Sequence, residues 1–267
     1  MENNNERLVS ALLERFYHEH KINDRKGVYA MTQKMMAYNS NRIEGSTLTS
    51  EQTASLFDTG LLVGEENEIY KAKDIEEMNG HFLMFNHMLH TLDIPLTQAI
   101  IKELHYNLKV GVFEDRANGY PVGEYKNRRN IVSDIHTIDP ENVETEMDKL
   151  LEWYHNDSRQ DIYKQMELHA RFEKIHPFQD GNGRVGRMIL FRECLRSKIV
   201  PVIIQDENKP IYYRALHKAQ VDGEYDALYD YGKKQQSFYE NAIIPFIEPE
   251  LTIPKKLDVV IPRGPKL

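Results

Sequence analysis

Apolar residues recur every three to four positions through most of this chain, the period of a helix that buries one face. In residues 6–20 the repeat falls on Leu8, Leu12 and Phe16. In 27–45 it falls on Val28, Met31, Met35 and Tyr38 and stops at Gly45, which suits a left-handed C-terminal cap. Thr49 and Gln52 have capping-box spacing and open a further helix. Residues 74–92 form a long segment apolar on one side, limited by Pro95, and 97–112 form another. Helices are also predicted over 142–157, 162–175, 184–198 and 209–243, the last broken at Gly223. One stretch departs from the pattern. Residues 119–140 hold Gly119, Pro121 and Gly123, then the β-branched pair Ile131–Val132, and read as a loop or hairpin. The pattern therefore predicts an all-α domain over 1–249. A proline-rich tail follows over 250–267, where helix is not expected to continue.

Composition narrows the function classes. The 267 residues are 40% hydrophobic and 28% charged, ordinary for one large globular domain. The formal net charge of -8 argues against a nucleic-acid partner and against a membrane surface, both of which call for a basic face. No window approaches the length of an apolar membrane span, and the polar start has no signal-peptide core. The single cysteine, Cys194, cannot form an internal disulfide and lies in an apolar run, as a buried inert thiol would. A reducing, cytoplasmic setting is expected.

The stretch HPFQDGNGRVGR, residues 176–187, carries the candidate chemistry. Its Gly181, Gly183 and Gly186 have the G-x-G-x-x-G spacing of a dinucleotide fingerprint, but no strand precedes them, and that reading fails. A polar interhelical loop is the plain alternative. Against it stand two arginines, Arg184 and Arg187, on one face of the first turn of a helix, where the dipole repels cations. Glycines that let a ligand approach the backbone, a helix N-terminus and paired arginines together point to polyphosphate. Asp180 could serve as the lone carboxylate of a Mg²⁺ site. His176, at the end of the preceding helix, is placed to accept a proton near neutral pH. No P-loop lysine motif or kinase catalytic loop is present.

This stretch resembles the signature of the Fic family, H-x-F-x-[DE]-G-N-G-R-x-x-R, and matches it at every defined position. The resemblance covers roughly residues 27–247 and implies a Fic fold, a helical bundle with a β-hairpin flap over the active site. It implies transfer of AMP from ATP to a Ser, Thr or Tyr hydroxyl of a target protein, with Mg²⁺ or Mn²⁺ as cofactor. His176 would be the catalytic base, Phe178 a core anchor and Asp180 the metal ligand. Gly181, Asn182 and Gly183 would form the anion hole, with Val185 and Gly186 in the same nucleotide-binding stretch. Arg184 would bind phosphate oxygens and Arg187 the γ-phosphate. Asn130, Ile131, Val132 and Ser133 would lie over the nucleotide, in a flap that holds the target chain as an added strand. Tyr212, Tyr213 and Gln220 match the adenine side, although a Tyr pair on a helix is also ordinary core packing. Lys126 departs from the family, which often has arginine there; the charge is kept and the planar fork lost. Retention of Gly183 favours nucleotidyl transfer over the phosphate transfer of the family's divergent kinase branch.

SNRIEG, residues 40–45, is similar to the inhibitory motif of autoinhibited members, on a helix of about 28–44. Ser40 and Glu44 are four apart and share a face, and a carboxylate at a helix C-terminus calls for a cation. The resemblance implies a two-pronged pair between Glu44 and Arg187, and in some relatives a role for the glutamate in removing AMP. Self-modification and homo-oligomers are compatible with such an enzyme. Three other readings remain at this stage: a Fic enzyme using another nucleotide donor, a non-catalytic peptide-binding module, and a metal hydrolase suggested by eleven histidines. The last lacks H-E-x-x-H.

Overall fold

The computed structural model describes residues 4–64, 69–132 and 135–251. Eleven helices are formed by them: α1 (Asn4–Lys21), α2 (Val28–Ile43), α3 (Ser50–Thr59), α4 (Ala72–His90), α5 (Gln98–Lys109), α6 (Phe113–Ala117), α7 (Val143–Asn156), α8 (Ile162–Ile175), α9 (Asn182–Arg196), α10 (Lys209–Val221) and α11 (Asp226–Leu251). The predicted helices are all present, but α2 is turned from the face that its period marked out: it buries Val28, Tyr29, Met36, Ala37 and Ile43, while Met31, Met35 and Tyr38 are only partly buried. The all-α expectation agrees with this architecture. The short helix α6 was not anticipated, since five residues carry too little periodicity to read.

Helix α9 lies at the centre. From Arg184 to Leu195 every residue is buried, because α8, α4, α5 and α2 all pack against it. The main core joins Phe16, Tyr29, Phe85, Phe172 and Phe191, each of which contributes about 1.5–3 kcal/mol by leaving water. A second cluster around Met166, Leu190, Tyr212 and Leu216 holds α8, α9 and α10 together. Helices α4 and α5 approach closely at Gly80, where a side chain would run into the Leu108 backbone carbonyl.

The local signals at helix ends are realised in hydrogen bonds. Thr49 and Gln52 form a complete capping box on α3. Helix α2 ends at its cap Glu44, and Gly45 then turns to φ 94°. The chain breaks between α10 and α11 around Gly223, at φ 71°.

Two expectations change. The hairpin expected over 119–140 reduces to a two-residue antiparallel ladder, β1 (Ile131–Val132) with β2 (Ile135–His136), paired Ile131 to His136 and Val132 to Ile135. Pro121 with Gly119 and Gly123 before it keeps the backbone irregular. Helix was expected to end at residue 243, yet α11 continues through Pro245 and Pro249 to Leu251. Packing of Ile243 and Ile247 into the main core holds these turns despite the prolines. The tail from 252 onward lies outside the described residues. No described helix is long and apolar enough to cross a membrane.

Candidate functional site

The site forms where α8 stops and α9 starts. His176 caps α8 in a left-handed conformation, φ 53° and ψ 61°, its N–H donating to the Phe172 carbonyl at 3.0 Å. A non-glycine residue pays roughly 1 kcal/mol or more for that geometry, so surrounding contacts must hold it. They do. Phe178 is buried and its ring stacks on His105 at 3.9 Å with an interplanar angle of 1°. The Phe178 N–H donates to Asn182 Oδ1 at 2.7 Å, and Asn182 Nδ2 donates back to the Phe178 carbonyl at 2.8 Å. The Asn182 side chain thus braces the loop, and only its backbone N–H remains for an anion. Asn130 adds a third tie, Nδ2 donating to the same carbonyl at 3.1 Å.

Helix α5 supplies the floor. The Gly123 N–H donates to His105 Nδ1 at 2.9 Å, so the proton of the neutral ring is on Nε2, which donates to the Asp180 carbonyl at 3.0 Å. Burial pushes His105 down to about 3 and keeps it neutral. One turn further on, Lys109 is 1% exposed and its Nζ lies 2.5 Å from Glu77 Oε1, 2.8 Å from Asp115 Oδ2 and 2.9 Å from Asp180 Oδ2. Burial alone would raise the Asp180 carboxyl, but Lys109, Arg184 and Lys73 outweigh it and hold the group well below the usual range.

Both arginines of the first α9 turn have carboxylate partners. Arg184 Nη1 lies 2.5 Å from Glu77 Oε2, with Nη2 3.6 Å from Asp180 Oδ1. Arg187 donates from Nε to Ser40 Oγ at 2.9 Å, and from Nη2 to the Ser40 carbonyl at 3.0 Å and to Glu44 Oε1 at 2.6 Å. The two-pronged carboxylate pair is therefore replaced by one arm on Glu44 and the rest on Ser40, because Nε faces α2 directly. Burial raises the Glu44 carboxyl, yet Arg187 and Arg184 overcome it and leave the value below normal. A Cβ placed on Gly183 would run into Glu44 Oε1, so this carboxylate rests against the first turn of α9. The anion that the arginines called for is, in this structure, supplied by the protein's own glutamates.

His176 is pushed down to about 4, first by burial and then by Lys126; the Glu173 backbone carbonyl, Glu44 and Asp180 pull the other way. The ring is neutral at pH 7 and can accept a proton. Lys126 is itself buried, its Nζ donating to Asn130 Oδ1 at 2.7 Å and Thr137 Oγ1 at 2.8 Å, and desolvation lowers it to about 8. A cleft of about 760 Å³ opens beside Glu44, Lys73, Glu77 and Phe113.

Other predicted positions sit differently. Val185 is in the core, and Gly186 faces α8, where a Cβ would meet Glu173 and Phe172. Tyr212 is also a core residue, 1% exposed, its hydroxyl 2.7 Å from His169 Nε2, because α10 packs that face on α8. Gln220 is buried and donates to the Ala170 carbonyl at 3.3 Å. Only Tyr213 of the adenine-side set is open to solvent, with the Lys209 ammonium 5.6 Å above its ring. Ile131 and Val132 take part in the ladder, and Ser133 lies outside the described residues.

Among the described residues no three His, Cys, Asp or Glu side chains converge as metal ligands. A hard cation held by one carboxylate must take its other oxygens from water and phosphate. Asp180 fits that use: it is ionised, one-third exposed, and only one of its oxygens is held by a backbone N–H, that of Gly181 at 2.7 Å.

Residues 95–193 match the model of the Fic/DOC family. Over that stretch the chain is similar to a Fic/DOC domain. Over 186 residues it is 27% identical to "Protein adenylyltransferase Fic" of Nematostella vectensis, an alignment covering 68% of this chain and 42% of the relative. Over 219 residues it is 25% identical to "Protein adenylyltransferase fic-1" of Caenorhabditis elegans, covering 80% and 42%. The chain thus spans about two fifths of the length of these curated relatives. The crystal structure of a Fic domain containing signaling protein from Bacteroides thetaiotaomicron superposes with a TM-score of 0.65 at 25% identity, covering 88% of this chain and 95% of that one. Fic-1 from C. elegans superposes with a TM-score of 0.66 at 23% identity, covering 93% and 72%, and shares the fold.

The matched Fic/DOC stretch contains His105, Lys109 and all of 176–187, but Ser40, Glu44, Lys73 and Glu77 precede it. The residues gathered around 176–187 therefore include side chains of α2 and α4 from outside the matched stretch. Glu77, Lys73, Lys109, Asp115 and His105 were missed in the sequence reading. A usable signal existed for two of them. His105 and Lys109 are four apart and share the buried face of α5 with Ile101 and Leu108, where a lysine is out of place unless paired.

Proposed function

We propose that the protein transfers AMP from ATP to a hydroxyl group of a target protein and that Glu44 holds this activity in check. The observation that carries the reading is a neutral histidine, His176, at a tight turn into a helix N-terminus that bears Arg184 and Arg187. In the reaction the hydroxyl oxygen bonds to the α-phosphorus as the bond from that phosphorus to pyrophosphate breaks, and His176 takes the hydroxyl proton. The depressed value of His176 would rise toward neutrality beside bound phosphates. The backbone N–H groups of Asn182 and Gly183 would face phosphate oxygens, while that of Gly181, expected in the same anion hole, is held by Asp180 Oδ1 at 2.7 Å. Mg²⁺ or Mn²⁺ held by Asp180 would supply positive charge to the phosphates.

Glu44 lies against Gly183 and takes one arm of Arg187. While it does so, Arg187 is withheld from a γ-phosphate, which is the basis for the inhibitory role. The β1–β2 ladder would receive the target as an added strand, a recognition mode that rests on main-chain bonds. Tyr213, the open member of the tyrosine pair, is the better candidate for the adenine side. Residues 1–249 would act as one unit, with the tail beyond it.

The test is intact-mass analysis of the Glu44→Gly protein after incubation with ATP and Mg²⁺, alone and with lysate. A gain of one AMP on the protein or a target is expected, and none with His176→Ala. Absence of any adduct with Glu44→Gly, or an undiminished adduct with His176→Ala, overturns the reading.

A further inference from the structure

We infer that Lys73 is a built-in competitor for the divalent cation at Asp180, so that the cation and the Lys73 ammonium hold this carboxylate in turn. The inference rests on the proposed role of Asp180 as a cation ligand.

Three cationic side chains surround Asp180, and they are not equivalent. Lys109 is 1% exposed and is shared among Glu77, Asp115 and Asp180 at 2.5, 2.8 and 2.9 Å. Arg184 is anchored on Glu77 at 2.5 Å and is only 3% exposed. Neither can leave without stranding buried charge, a costly step. Lys73 is different. It stands in the first turn of α4, its side chain is 31% exposed, and it lines the open cleft beside Glu44 and Glu77. Its Nζ lies 3.4 Å from Asp180 Oδ2 and 3.6 Å from Glu114 Oε2, both loose ion pairs.

The two oxygens of Asp180 are also unequal. Oδ1 accepts the Gly181 N–H at 2.7 Å and faces Arg184 at 3.6 Å. Oδ2 is shared by fixed Lys109 and movable Lys73. A divalent cation at the usual ~2.1–2.5 Å from Oδ2 would lie within a few ångströms of the Lys73 ammonium, where like charges repel. Glu114 offers the displaced ammonium a second carboxylate on the cleft side. In the absence of a metal, the charge of Asp180 remains covered.

The test is Mn²⁺ binding to the full chain, carrying Glu44→Gly and saturated with a non-hydrolysable ATP analogue, followed by the EPR signal of free Mn²⁺. Lys73→Met should bind Mn²⁺ about three- to fivefold more tightly, the range set by loss of a partly exposed ion pair. Lys73→Arg, which keeps a cation there, should stay near the parent affinity. An affinity in Lys73→Met equal to or weaker than the parent, or an equal gain in Lys73→Arg, overturns the inference. Asp180→Asn is the control for the underlying reading: it should lose Mn²⁺ binding, and its failure to do so would remove Asp180 as a ligand whatever Lys73 does.

Discussion

Replacing Glu44 by glycine perturbs two things at once, and the structure allows both to be sized. Arg187 makes three hydrogen bonds to α2 and its cap, of which Glu44 supplies one, at 2.6 Å. A hydrogen bond to a charged group is worth about 1.5–3 kcal/mol. Glu44 is 30% exposed in its side chain, so water would replace part of that, and Ser40 still holds the guanidinium by two bonds. A loss of about 1–2 kcal/mol follows, after discount for solvent screening. For a domain of this size the melting temperature should fall by roughly 2–8 °C. The second effect has the opposite sign. With Arg187 released from Glu44, its charge is open to ATP, and a ligand at a hundred times its Kd stabilises by about 2.7 kcal/mol. Thermal denaturation of wild type and Glu44→Gly, each with and without ATP and Mg²⁺, measures both. The variant should melt lower alone and gain more from nucleotide than wild type does. Equal melting of the two free proteins, together with equal ATP shifts, would refute the account of the Glu44–Arg187 contact as both clamp and gate.

Other outcomes follow from the same geometry. His176 has a value of about 4 in the nucleotide-free protein, so kcat/KM for ATP in AMP transfer by Glu44→Gly should show no enzyme acid limb above about pH 5, whereas the acid limb of kcat, set with phosphates bound, should lie nearer neutrality; coincident limbs for the two would count against the upward shift of this ring. His81 is fully buried, with neither ring nitrogen hydrogen-bonded, and burial followed by Arg187 and Arg184 pushes it to about 3. Its neutral form favours the fold, so its contribution is complete above the unfolded value of about 6.5 and is lost as pH falls toward 3, at about 1.4 kcal/mol per unit. His81→Leu should flatten the fall in urea-unfolding free energy between pH 6.5 and 5 by about 2 kcal/mol, and an unchanged slope would count against the assignment. Lys109→Met leaves Glu77, Asp115 and Asp180 without their shared cation and should cost about 3–5 kcal/mol in the same measurement. A loss below 1 kcal/mol would mean that these carboxylates are not held by Lys109.

The helices were legible because burial of one face leaves a period in the residues themselves. Leu8, Leu12 and Phe16 mark α1 as plainly in sequence as in the core. The candidate site was legible in part for a related reason. His176, Asp180, Arg184 and Arg187 lie within twelve residues, so one helix end, one turn and one helix start bring them together whatever else the chain does. Reading failed where a residue type fits two environments. Tyr212 and Tyr213 look alike in sequence, and only the docking of α10 on α8 sends the first into the core and leaves the second open.

The sequence by itself determined the helical class, the helix caps at Thr49 and Gly45, and the presence of a helix N-terminus with two arginines that require an anion. Tertiary structure alone decided which anions those are. Glu77 reaches Arg184 and Lys109 because α4 and α5 pack closely at Gly80, and Glu44 reaches Arg187 because α2 lies across the start of α9. The physical reason is that capping and amphipathic periodicity act over a few residues. Ion pairs between helices depend on crossing geometry, and that is set by the whole packed core rather than by either partner's neighbours in the chain.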